Sequence, residues 1–165
     1  MRILGVDPAL AVTGYGIIDV THRRISLIHA GAIITSHSQT LPERLLKIYE
    51  RILKIILEYS PEVMVLEKVY VHHHHQTTAF LLGQARGTIC LACAQGKIPL
   101  VEYAATRVKK AIVGKGLASK IQVQRMVATT LGLKTLPRYM DVTDALALAI
   151  AYSNIARSDT YRHPQ

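Results

Sequence analysis

The sequence predicts an α/β fold: one domain in which a five-stranded mixed sheet carries helices on both faces. Three observations lead there. The first third alternates short apolar runs with turn residues, the habit of antiparallel strands. Two later apolar runs, VMVLE and LVEY, each follow a stretch of helical periodicity, as strands do when they cross over and run parallel. Finally, 165 residues, of which 50% are hydrophobic, suffice to bury a single core without disulfides.

Taken in order, residues 2–6 read as a short buried strand. It ends on Asp7, a charge for which a core strand has no packing use. Residues 14–20 and 24–35 complete an antiparallel meander. Leu41–Tyr59 then sets Leu45, Tyr49, Ile52 and Ile56 at helical spacing, with Pro42 in the first turn. Pro61 stops this helix. Val63–Glu67 is a continuous apolar run of buried parallel type, and it too ends on an acid. A histidine-rich loop leads to a helix over residues 78–95, and Gly96 and Pro99 frame the turn into Leu100–Tyr103. A short helix over Ala105–Val113, a GKG loop, a helix over residues 119–131 and a last helix over residues 141–156 close the order βββαβαβααα. The domain is expected to span residues 1–157, with a flexible tail at residues 158–165.

Twenty Lys and Arg against eleven Asp and Glu give a net charge of +9 with His neutral, a balance that favours a polyanionic partner. No run of 18 uninterrupted apolar residues could span a bilayer, no strongly basic amphipathic helix points to a membrane surface, and Asp7 and Pro8 interrupt any signal-like opening. A cytoplasmic protein is expected. Cys90 and Cys93 lie three apart in an apolar helix; with no second CxxC nearby, burial explains them better than redox or zinc chemistry.

Four acids carry the chemistry. A right-handed crossover sets the strand ending on Glu67 beside the strand ending on Asp7, with both carboxyl ends at one edge. Asp141 and Asp144 sit three apart at the start of the last helix and share a face. Each alone could be a helix cap or a partner for the helix dipole. Together, four carboxylates that close must take up protons or hold a cation, and oxygen-only ligands suit Mg²⁺ or Mn²⁺. Two such ions can activate a water and stabilise a departing 3′ oxygen in phosphodiester hydrolysis. Without these four, seven acids face twenty basic residues, so the surrounding surface is strongly positive.

The segments GVDPALAVTGYGII, VLEKVY, LLGQARG, PLVEYAATRVKKAIVGKG, KIQVQRMV and DVTDALALAIA resemble, in order and spacing, the successive motifs of the RuvC-type Holliday-junction endonucleases of the ribonuclease-H-like superfamily. The likeness covers about residues 1–156. It implies a ribonuclease-H-like fold and a homodimer that binds four-way DNA junctions. It also implies paired symmetric nicks in strands of like polarity, made with Mg²⁺ in recombination and repair beside a branch-migration complex of RuvA and RuvB type. By position, the catalytic and metal-binding acids are Asp7, Glu67, Asp141 and Asp144. Tyr70 falls at an aromatic position that stacks on a base, and Lys109 and Lys120 fall at basic positions near the scissile phosphate, with Lys110 an alternative to its neighbour. The helix over residues 78–95 is the expected dimer surface.

Two departures from the family pattern stand out. Ala9 replaces a usual Gly at a turn, a costly exchange if φ there is positive. His72 to His75 form an unfamiliar run, read as a polar loop facing DNA rather than a functional zinc or nickel site. Other readings remain open at this level. DPALAVTGYG also resembles the first phosphate loop of actin-like ATPases and sugar kinases, although those need two related domains. A non-catalytic DNA-binding protein would explain the charge but not the acids, and an RNA–DNA hybrid nuclease would use a similar carboxylate cluster.

Overall fold

The computed structural model describes residues 1–22, 24–68 and 76–162. Tyr70 and His72 to His75 lie outside the described residues. The meander comprises β1 (Arg2–Asp7), β2 (Val12–Thr21) and β3 (Arg24–Ile34); α1 (Leu41–Tyr59) leads to β4 (Val63–Glu67), and α2 (Gln76–Gln95) leads to β5 (Leu100–Tyr103). Three helices follow: α3 (Ala105–Val113), α4 (Lys120–Leu131) and α5 (Met140–Arg162). The strands form one sheet in the order β3-β2-β1-β4-β5, antiparallel among the first three and parallel from β1 through β4 to β5.

Both faces of this sheet are covered, which is why β1 and β4 are apolar without alternation. Leu4, Val6, Met64 and Leu66 point toward α1 and α2, where Ile52 and Ile89 meet them. Ile3, Val63 and Val65 point the other way, into a second cluster with Val108 of α3, Val127 of α4 and Leu146 of α5. The central strands therefore present their next residues, beyond the buried runs, at a shared edge.

The seat of α5 depends on glycine. A β-carbon added at Gly5 of β1 would overlap the Ala145 carbonyl, and one added at Gly14 of β2 would overlap the backbone of Asp141. Ala145 and Ala149 are themselves fully buried. Small residues on both sides thus let the helix backbone rest on the sheet backbone, bringing the start of α5 to the end of β1.

Some expected bounds need correction. Helix α5 runs to Arg162 rather than stopping at residue 156, so residues 158–162, expected in a tail, are helical. The apolar pattern that marked the helix fades after Ile155, but no breaker arrives until Pro164, and polar residues continue a helix already nucleated. Helix α4 begins at Lys120, with Ser119 as its N-cap accepting from the Gln122 amide at 3.3 Å. The concern over Ala9 also falls away. Ala9 is not among the residues with positive φ, and the loop is pinned instead by side chains: Thr13 Oγ1 donates to the Ala9 carbonyl at 2.6 Å, and Thr35 Oγ1 donates to Leu10 O at 2.5 Å. No αL residue is needed there, so Ala carries no strain.

Candidate active site

Asp7 and Glu67 end neighbouring parallel strands. Val6 pairs with Leu66 in the register, so each acid is the next residue out at the carboxyl edge of the sheet. Ligand sites of open parallel sheets lie at this edge, because strand ends fix side chains there while loops leave room. Helix α5 supplies the other two acids. The Asp141 backbone lies against Gly14, which is itself the partner of Asp7 across β1 and β2. One turn further along, Asp144 reaches the same place. Because α5 starts at Met140, neither acid is the helix N-cap.

A cleft of about 280 Å³ opens between these elements. Asp7, Glu67 and Asp144 line it together with Lys109 of α3 and Lys120 of α4, while Leu82, Val108 and Val123 form apolar wall. Asp141 does not line this cleft but is near enough for its charge to act on Asp7. Of the alternative lysines, Lys109 faces the cleft and Lys110 is exposed on the adjoining surface. Lys120 Nζ stands 3.7 Å from Asp144 Oδ2.

The electrostatics are those of a crowded acid cluster. Burial, then the charges of Asp144, Asp141 and Glu67, pushes Asp7 up to about 7. Glu67 is raised by burial of its carboxyl and by Asp144, against the pull of Lys120, Lys109 and Arg86. Asp144 is raised by burial and Asp141, with Lys120 acting the other way. Two lysines therefore leave the negative charge incompletely balanced.

These residues fit a hard divalent cation in donor type, since every carboxylate offers oxygen and the excess charge calls for a positive partner. Among the described residues, however, no group of three or more acidic, histidine or cysteine side chains stands close enough, as placed, to hold an ion. Asp7, Glu67 and Asp144 line the cleft without closing on a point. Cys90 and Cys93 play no part: both are free thiols, and Cys93 is buried, bonds to Ile98 O at 3.2 Å and is pushed up to about 11 by burial and by Cys90.

One residue at this edge escaped the sequence reading. Arg86 of α2 donates through Nη1 to the Glu67 carbonyl at 2.7 Å and forms an ion pair with Glu102 of β5. Its signal was present: a basic side chain between Ala85 and Ile89, inside a helix that is otherwise uncharged. Among the described residues no helix is long and apolar enough to cross a membrane.

Comparison with known proteins places this chain in a family. The sequence profile described as crossover junction endodeoxyribonuclease RuvC matches residues 3–152. A protein of that description from Burkholderia thailandensis is 44% identical over 154 residues, 93% of this chain and 84% of the relative. Another from Geobacter sulfurreducens is 43% identical over 156 residues, 94% of each. Among solved structures, T. thermophilus RuvC in complex with Holliday junction substrate superposes with a TM-score of 0.91 at 31% identity, covering 97% of both chains. With a family match across nearly the whole chain, an acid cluster at the sheet edge and the same fold in a junction-bound relative, this chain belongs to the crossover junction endodeoxyribonuclease RuvC family.

Proposed function

We propose that this chain resolves four-way DNA junctions by paired symmetric nicks, hydrolysing phosphodiester bonds with Mg²⁺ in homologous recombination and repair. The observation that carries this reading is the cleft itself, which gathers acids from two strand ends and one helix between two lysines. Asp7, Glu67, Asp141 and Asp144 are the catalytic and metal-binding residues in this reading. When bound, two Mg²⁺ ions, or Mn²⁺ in their place, supply an activated water and charge stabilisation at the leaving 3′ oxygen.

The protein's own side chains do the rest. Lys109 and Lys120 draw the scissile phosphate between the cleft walls, and Lys120 exchanges its contact with Asp144 for one with phosphate. Burial excludes bulk water around Asp7 and so strengthens each charge interaction there. Tyr70 stacks on a base beside the cut, a contact worth about 1 to 3 kcal/mol.

Paired nicks need two sites, and helix α2 offers a surface on which two copies can meet. Phe80 and Leu91 are 65% and 60% exposed on it, and between them Gly83 and Gly87 have open space where a β-carbon would stand. Such an apolar ridge with a flat centre suits the self-complementary contact of a two-fold dimer. A branch-migration complex of RuvA and RuvB type is the expected partner in the cell.

The test is cleavage of an immobile four-way junction, beside its linear duplex arms and an RNA–DNA hybrid, with Mg²⁺ or EDTA. Paired nicks in the junction alone, dependent on Mg²⁺, are expected. Cleavage of the hybrid with the junction left intact would replace the assigned substrate.

A further inference from the structure

The ion pair and hydrogen bond of Arg86 give it a task beyond fold. It sits on the sheet-facing side of α2, one turn after Leu82, which lines the cleft, and its side chain is only 14% exposed. A guanidinium that far from water is destabilising unless its donors are used. Here they are used at one spot. One arm donates to the backbone carbonyl of Glu67, and the other meets the carboxylate of Glu102, which pairs across the sheet with Leu66. Arg86 thus bridges the ends of β4 and β5 at the residue that carries an acid of the cleft.

We propose that Arg86 is a positioning residue for Glu67: held in orientation by Glu102, it fixes the end of β4 by the Glu67 carbonyl and so aims the carboxylate at the cation site. The inference rests on the nuclease reading above and deepens it. Glu67 is the first residue past the buried part of β4, so its backbone is where core packing stops restraining the strand. On the far side, the Lys68 amide donates to Tyr103 O at 2.8 Å, tying the next residue to β5. Between these two ties, the Glu67 side chain has a fixed origin. The geometry also links two parts of the molecule, because the clamp is carried by α2, the helix whose opposite side presents Phe80 and Leu91. Seating a second copy on α2 would therefore steady the clamp.

The experiment compares wild-type protein with Arg86→Gln, Arg86→Lys and Glu102→Gln. Three quantities are read: Mn²⁺ affinity by calorimetry without DNA, junction affinity in EDTA, and the nicking rate of bound junction in Mg²⁺. Arg86→Gln is expected to weaken Mn²⁺ binding and slow nicking by about 10- to 100-fold each, the usual range for residues that orient metal ligands, with junction affinity unchanged. Arg86→Lys should recover only part of this loss, since an ammonium cannot serve both partners as the guanidinium fork does. Glu102→Gln, a mild change at a 41% exposed side chain, keeps the test sound if Arg86→Gln fails to fold, and should move Mn²⁺ affinity the same way by a smaller factor. Unchanged Mn²⁺ affinity in a folded Glu102→Gln variant, or junction affinity falling in parallel with nicking in Arg86→Gln, would overturn the assignment. A wild-type protein that binds Mn²⁺ but leaves the junction uncut would instead remove the junction-resolving reading, while the Mn²⁺ affinities of the variants would still decide the positioning role of Arg86.

Discussion

Strand β1 carries charge at both ends, and the two ends are built on opposite principles. At its start, Arg2 meets Asp19 through two hydrogen bonds of 3.0 and 2.9 Å, its guanidinium also donates to Tyr59 O at 2.6 Å, and Glu62 takes the Arg2 amide. Every charge there has a counterpart, and the hydrogen bond from Arg2 holds Asp19 below the usual carboxylate range. At the other end, five residues on, burial and three other acids push Asp7 up to about 7. The same strand thus ends in satisfied pairing on one side and in repulsion on the other. The first arrangement favours the folded chain; the second is tolerated because the rest of the fold holds it, and it leaves a site ready to attract a cation.

The largest break in this contrast should come from Asp7→Asn. Nicking is expected to fall by about 1,000-fold or more, the scale of losing several kcal/mol of transition-state stabilisation, while junction affinity in EDTA stays the same. A gel assay of cleavage and binding on one preparation separates the two.

Next in size is Gly5→Ala, in the middle of β1. The added methyl meets the Ala145 carbonyl, so α5 must lift from the sheet at a cost of about 1 to 3 kcal/mol. Urea unfolding should show the loss, and nicking should drop with it, because Asp144 moves with the helix. Stability lost with full activity would show that the seat of α5 does not set the site.

Asp7→Asn should also sharpen the comparison through stability. Without metal at neutral pH the variant is expected to be more stable than wild type by on the order of 2 kcal/mol, since a neutral amide removes the cost of burying a charge and then the repulsion by the other acids. The sign follows from the direction of the shift. A carboxyl raised in the folded state binds its proton more tightly there, so the contribution of Asp7 to wild-type stability is most favourable below about pH 4 and declines as pH rises toward 7. The advantage of the variant should therefore shrink on acidification and vanish near pH 4.

Arg2→Met is expected to have the smallest effect, about 1 kcal/mol at neutral pH, for a half-exposed ion pair and one carbonyl left to water. Here the pH dependence runs the other way. Asp19 is lowered in the folded state, so its contribution is present above about pH 4 and fades as pH falls through its folded value. Thermal melts of both variants across pH 3 to 8 should approach the wild type from opposite sides as pH falls, and nicking by Arg2→Met should be normal.

The sequence by itself determined more of this protein than local pattern usually allows. Apolar runs that stop on Asp7 and Glu67, helical spacing in α1 and the pairing of Asp141 with Asp144 are local features, and each follows from what a strand or helix must bury and what it has no reason to carry. The family motifs supplied their common purpose. Tertiary structure alone decided the rest. It chose Lys109 over Lys110 for the cleft, kept Asp141 off the cleft wall, freed Ala9 from strain through Thr13 and Thr35, and gave Arg86 its partners on two strands. The physical reason is that each depends on which elements meet, not on local pattern. The acids of α5 show it most directly: their distance from the sheet is set by Gly5 and Gly14, whose effect lies in the side chains they lack.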